Sequence, residues 1–242
     1  MPTDCSNCPL RRLPGFESLS PEELEFMSHF KVGEIDVSPG QAVVIEGAKS
    51  PQLFTVLDGM GVRFRTLEDG RRQITNFVMP GDFIGMQDAM LDDIGYSIEA
   101  TTPMTLCVFR RSDIWTLFRN HPERAFDMTW LVCSEEHFMG SALATVGQRS
   151  ALERVAWALV VIHDRFRQLG RVDNGIFSFP FRQQDLADAL GLSLVHTNKT
   201  LAKLRDRGLA SWAEGVVRVF DREGLRKLAV MDEVVRKVRP LI

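Results

Sequence analysis

An α+β chain is predicted, with an N-terminal double-stranded β-helix (jelly-roll) domain, a long helix, and a C-terminal winged helix–turn–helix. Three observations predict it. Between Lys31 and Arg110, short apolar runs alternate with the turn pairs Pro39-Gly40, Glu46-Gly47, Asp58-Gly59, Asp69-Gly70 and Pro80-Gly81. That rhythm belongs to an antiparallel barrel or jelly roll. After Pro122, a helical pattern apolar on two sides runs to about Val146. Finally, Phe181 to Gly208 reads as two short helices joined by a tight turn.

Residues 1–16 form a short arm carrying Cys5-x-x-Cys8-Pro9. Ser20-Pro21-Glu22-Glu23 starts a helix to about Phe30, because Ser caps, Pro fits the first turn and Glu23 completes a capping box. Strands are expected at Val43–Ile45, Phe54–Leu57, Val62–Arg65, Ile74–Val78 and Thr105–Phe109. A small helix covers Ser112 to Asn120.

In the long helix, Phe126, Trp130, Cys133 and His137 share one side, and Met128, Val132, Met139, Leu143 and Val146 form a second stripe. A helix apolar on two sides needs two partners. One is the barrel; a second copy of the same helix serves as the other. Gly147-Gln148-Arg149 reads as a hinge, and Ser150-x-x-Glu153 opens a helix to about Gln168.

In the helix–turn–helix, Leu186, Ala187, Ala189 and Leu190 make one buried face. Gly191 suits the left-handed end of that helix, and Ser193 caps the next. The second helix is expected to bury Leu194, Val195, Leu201 and Leu204, and to expose His196, Asn198, Lys199, Lys203, Arg205 and Arg207. Leu209 to Phe220 reads as a hairpin turning at Glu214-Gly215, and Arg222 to Val238 as a helix.

The second helix has the size and charge for a DNA major groove. Lys199 suits guanine O6/N7, Asn198 suits adenine, and Lys203, Arg205 and Arg207 suit phosphate. The candidate DNA-contacting set is Arg182, Gln183, Ser193, His196, Thr197, Asn198, Lys199, Lys203 and Arg205. Charge agrees: residues 1–150 hold 13 Lys and Arg against 21 Asp and Glu, whereas residues 151–242 hold 16 against 11. Phosphate attracts the positive part of the chain. No apolar run approaches the ~18 residues of a membrane span, and the N-terminus lacks a signal-peptide core, so a cytoplasmic location is expected.

The order of barrel, long helix, hinge and winged helix–turn–helix resembles the Crp/Fnr superfamily of bacterial transcription regulators. The residues carrying the likeness are Pro80-Gly81-Asp82-Phe83-Ile84-Gly85 and Gln184-Asp185-Leu186-Ala187-x-x-Leu190-Gly191-Leu192-Ser193. The resemblance implies a sensor domain over residues 1–121, a dimerisation helix and hinge over 122–147, and a DNA-binding domain over 148–242. It implies a homodimer on inverted-repeat double-stranded DNA, with RNA polymerase as a partner and no membrane association.

Members that bind cyclic AMP carry Gly-Glu after the Phe-x-Gly turn and Arg-Ser further on. Here Gly85 precedes Met86-Gln87, and the later region reads Ile94-Gly95-Tyr96-Ser97 with Glu99 nearby. Without a cation there, a cyclic phosphate is poorly neutralised, so cyclic AMP is not expected to bind. The resemblance puts an effector near Met86, Gln87, Tyr96, Ser97, Trp130 and Glu135.

Oxygen-sensing members hold an iron–sulfur cluster. Cys5, Cys8 and Cys107 resemble three of its ligands, but the third N-terminal cysteine, due near Pro14, is missing. Cys133 substitutes only if the long helix passes close to the arm. These four cysteines are otherwise thiols or redox sensors.

The expected function is thus a DNA-binding regulator gated by a barrel effector or by cysteine redox or metal chemistry. The alternative is a regulator bound to DNA without an effector. A barrel metalloenzyme is more remote: His29, His121, His137, His163 and His196 all fall outside residues 31–120, and metal chemistry in such barrels usually needs several histidines.

Overall fold

A computed structural model describes residues 2–91, 94–232 and 238–242. The chain forms two compact units. The first takes residues through Thr66, Thr75–Glu136 and Val238–Ile242; the second takes Leu67–Ile74 and His137–Lys237.

In the first unit, two 3-10 turns (Cys5–Asn7, Pro9–Arg12) lead to α1 (Pro21–Phe30), capped by the expected reciprocal Ser20/Glu23 box. The strands are β1 (Lys31–Val37), β2 (Ala42–Val44), β3 (Gln52–Asp58), β4 (Gly61–Thr66), β5 (Arg72–Val78) and β6 (Phe83–Ile84), then, after α2 (Met86–Leu91), β7 (Ser97–Ala100) and β8 (Met104–Arg110). They make two four-stranded sheets, β1-β8-β3-β6 and β2-β7-β4-β5, rather than one closed barrel.

Val37, Val44, Phe54, Val56, Val78, Ile84, Ile98, Met104, Leu106 and Val108 form an apolar cluster within this fold, joined by the buried ring of Tyr96. The Pro80-Gly81-Asp82 turn ties several segments together. Gly81 sits at φ +85°, and a Cβ there would fall 2.4 Å from the Phe16 ring. The Asp82 carboxylate accepts from the Met79 N–H at 2.9 Å and from Arg239 at 3.0 Å. Residues 239–242 belong to this unit: Arg239 bonds Gly15 and Glu17 through its backbone, and the Thr55 hydroxyl donates to the Ile242 carbonyl at 2.6 Å.

After α3 (Ile114–Asn120), α4 (Pro122–Gln148) runs from the first unit into the second. It buries Ala125, Met128 and Leu131, whereas Phe126, Val132, Met139 and Leu143 are exposed. The helix continues through Gly147 and Gln148, and the next capping box begins at Ser150. Gly147 has open space around it and helical geometry continues across it.

The second unit contains α5 (Ala151–Gln168), β9 (Ile176–Ser178), α6 (Gln183–Leu190), α7 (Leu194–Asp206), β10 (Ala210–Ala213), β11 (Val216–Val219) and α8 (Arg222–Leu228). Phe166, Phe177, Phe179, Phe181 and Trp212 interlock by ring contacts of 4.6–6.4 Å. β10, β11 and β9 form the wing sheet. Its turn uses Glu214 and Gly215, both at positive φ, the geometry of a two-residue hairpin. The predicted Arg222–Val238 helix ends early: Ala229 caps it and Val230 turns to φ +50°. Residues 233–237 of that expectation lie outside the described residues.

Candidate nucleic-acid interface and sensor cluster

The α6–α7 turn is set by two local devices. Gly191 adopts φ +63°, and the Leu192 N–H bonds the Ala187 carbonyl at 3.0 Å. Ser193 then caps α7 by accepting from the His196 N–H at 3.2 Å. The residues α7 buries are Thr197, Thr200, Leu201 and Leu204, at the spacing of one helical face. Both threonines return a hydrogen bond to the preceding turn, to the Ser193 and His196 carbonyls. That satisfies their hydroxyls inside the packing.

Two expectations are corrected here. Thr197, assigned to the DNA-contacting set, has no exposed surface and packs within the unit instead. Val195, expected in the core, is 62 % exposed, and Leu194 is 39 % exposed. Ser193, His196, Asn198, Lys199, Lys203 and Arg205 are exposed as expected. Arg205 pairs with its neighbour Asp206 at 2.9 Å. Gln183 is half-buried and reaches the Trp212 carbonyl at 3.4 Å, linking α6 to the wing.

Behind this face, Asp185 is 3 % exposed. Its carboxylate accepts from the Arg182 N–H at 2.8 Å, from the Arg182 guanidinium at 3.0 Å and from Arg72 at 2.7 Å. Burial alone would raise its pKa; the hydrogen bonds from Arg182 and the charges of Arg182 and Arg72 together outweigh burial and hold it below the ordinary carboxylate value. Arg72 also reaches Asp188 at 3.3 Å, and Gln73 donates to the Ala189 carbonyl at 3.1 Å. Thus Leu67–Ile74 fastens to α6 inside the second unit, a link between sequence-distant residues that local patterns did not reveal.

In the first unit, Arg63 of β4 lies over the Tyr96 ring at 5.0 Å, donates to Thr75, and forms an ion pair with Glu135 of α4. Asn76 donates to the same carboxylate at 3.2 Å. Of the expected effector residues, Tyr96 and Glu135 are therefore brought together. Met86 and Gln87 lie on α2, half-buried and exposed respectively, and Trp130 is half-buried on α4. Ser97 accepts from the Glu46 N–H at 3.0 Å. The cation that the Ile94–Ser97 region lacks is supplied by Arg63, already neutralised by Glu135.

Cys5, Cys8 and Cys107 line one small cavity of about 20 Å³ together with Arg11, Lys31 and Ile242. Burial raises the Cys5 thiol pKa and pushes that of Cys107 to about 11, so the Cys107 proton is held tightly. Cys133 is exposed on α4 and does not line this cavity. A cluster held by four thiolates does not fit this arrangement. Among the described residues, no three His, Cys, Asp or Glu side chains are grouped to hold a metal. No helix among them is long and apolar enough to cross a membrane.

Residues 34–121 match the cyclic nucleotide-binding domain family, and residues 153–228 match the Crp-like helix-turn-helix domain family. The chain is 30 % identical over 228 residues to the transcriptional activatory protein AadR of Rhodopseudomonas palustris, covering 93 % of this chain and 92 % of AadR. It is 28 % identical over 225 residues to the nitrogen fixation regulation protein FixK of Bradyrhizobium diazoefficiens, covering 93 % of each. The fold is similar to that of FixK2 from Bradyrhizobium japonicum, with a TM-score of 0.73, 22 % identity, and coverage of 84 % of this chain and 98 % of that one. With both domain families in this order and relatives matching almost end to end, the chain belongs to the Crp/Fnr family, in its non-cyclic-AMP subgroup, and is a DNA-binding transcription regulator.

Proposed function

We propose that the protein acts as a cytoplasmic homodimer on an inverted-repeat DNA site, laying one α7 in the major groove of each half-site and working with RNA polymerase by binding rather than catalysis. Sensing resides in residues 1–121, coupling in the helix and hinge of 122–147, and reading in the winged helix–turn–helix after them. The exposed face of α7 carries this reading: Asn198 and Lys199 stand side by side among cations, with the helix rigidly capped at Ser193. Asn198 and Lys199 read base edges; Arg182, Gln183, Ser193, His196, Lys203 and Arg205 hold the backbone. Val132, Met139 and Leu143 on α4 form the apolar seam for the second copy, at spacings of seven and four. Selection from random duplexes, followed by footprinting, should return palindromes protected on both half-sites. A monomer that ignores DNA at low ionic strength overturns the proposal.

The gate operates through α4, where Glu135 holds Arg63 beside Tyr96. An effector competing for Arg63 releases that helix. A second reading is favoured by the same pair: with Arg63 internally neutralised and apolar side chains clustered inside the fold, the regulator binds DNA without an effector. Comparing DNA affinity with and without the small-molecule fraction of a cell extract separates the two. A change supports gating, and equal affinity supports the second.

A further inference from the structure

We propose that Val195 reads the 5-methyl group of a thymine in each half-site. This rests on α7 being the groove helix. Val195 is the second residue of α7 and lies one turn before Asn198 and Lys199, on the same exposed face. Residues near the start of a groove helix are the ones that reach base edges.

The side chain has no packing role that accounts for it. At 62 % exposed, it is the most exposed large apolar side chain of α7, ahead of the neighbouring Leu194 at 39 %, on a face whose other exposed residues His196, Asn198, Lys199 and Lys203 are polar or charged, while the residues that hold α7 to its unit are Thr197, Thr200, Leu201 and Leu204. A β-branched residue in a helix keeps essentially one χ1 rotamer, so its two methyls are held in place before DNA arrives. Valine can neither donate nor accept. Opposite a guanine or cytosine edge it would strip water from a polar atom and return nothing. Of the features displayed in the major groove, the thymine methyl is the apolar one that it complements.

The test uses the full-length protein and its selected palindrome. Each thymine is replaced in turn, in both half-sites, by deoxyuridine, which removes only the methyl. Wild type should weaken about fourfold per half-site at one position, the effect of one methyl-sized apolar group withdrawn from contact. Val195→Ala should bind the thymine and uracil sites about equally at that position. Two results overturn the proposal while leaving the reading of α7 intact: wild type indifferent to every thymine-to-uracil change although Lys199→Ala weakens binding at one base pair, or Val195→Ala retaining the full thymine preference. If Asn198→Ala and Lys199→Ala also leave base preference untouched, α7 is not the reader and both conclusions fall.

Discussion

Arg63 lies 5.0 Å above the ring of Tyr96 while its guanidinium is paired with Glu135 of α4. The region Ile94–Ser97 contains no cation, yet the fold supplies one from a strand some thirty residues earlier. Its charge is committed to a carboxylate, so an incoming cyclic phosphate meets a neutral pair rather than a free guanidinium. Calorimetric titration with cyclic AMP or cyclic GMP should therefore give no binding at micromolar concentration. The pair itself should be visible in a double-mutant cycle of Arg63→Ala and Glu135→Ala, with a coupling of ~1 kcal/mol in thermal or urea unfolding. Additive single mutants would mean the contact contributes nothing.

On the proposed reading, Asn198 and Lys199 meet base edges, whereas Lys203 and Arg205 meet phosphate. Base-edge contacts are local to one base pair, whereas phosphate contacts act on every sequence. Asn198→Ala or Lys199→Ala should cost ~1–3 kcal/mol and relax preference at one position of the half-site. Lys203→Ala or Arg205→Ala should weaken all duplexes alike and lower the salt slope by about one. Binding isotherms at several salt concentrations, on the best site and its single-base variants, separate these outcomes.

Much of the fold and of the α6–α7 turn is legible in the sequence because its signals are local. Both Ser capping boxes, Gly191 and the Glu214-Gly215 turn depend on neighbours within four residues, and each appears in the structure as read. The register of α7 is harder to read, because hydrophobicity favours burying Val195 over Thr197. Back-bonded threonines are satisfied in the core, so their polarity misleads. β1 is hidden for a related reason: Lys31–Val37 carries charge and is exposed or half-exposed along most of its length. Arg72 and Asp185 are 113 residues apart, beyond any local pattern.

Asp185 links α6 stability to pH. Its pKa is held below the ordinary carboxylate value in the folded chain, so the unfolded chain binds the proton more readily. The stabilisation is therefore present above the unfolded pKa of about 4 and lost as pH falls through the lower folded value. Asp185→Asn removes the charge that Arg182 and Arg72 both engage, and should cost ~2–3 kcal/mol at pH 7. The difference between wild type and variant should shrink as the medium is taken from pH 5 toward pH 3. Urea unfolding across that range checks it; a constant difference would assign the cost to packing instead of charge.

Leu143 is 74 % exposed on α4, in line with Met139 and Val132. A single exposed leucine is ordinary, but three apolar residues in register along one helix form a stripe, and on the proposed dimer a second copy about a two-fold axis would cover it by repeating the same patch. Burying a leucine side chain is worth ~1.5–3 kcal/mol, and symmetry uses it twice. Leu143→Glu loses that burial and sets two like charges against each other. Sedimentation should show the wild type dimeric and Leu143→Glu shifted to monomer at micromolar concentration. The same variant should bind an isolated half-site as wild type does and lose its advantage on the full palindrome, because α7 itself is untouched. A variant that remains dimeric would move the two-fold contact away from this stripe.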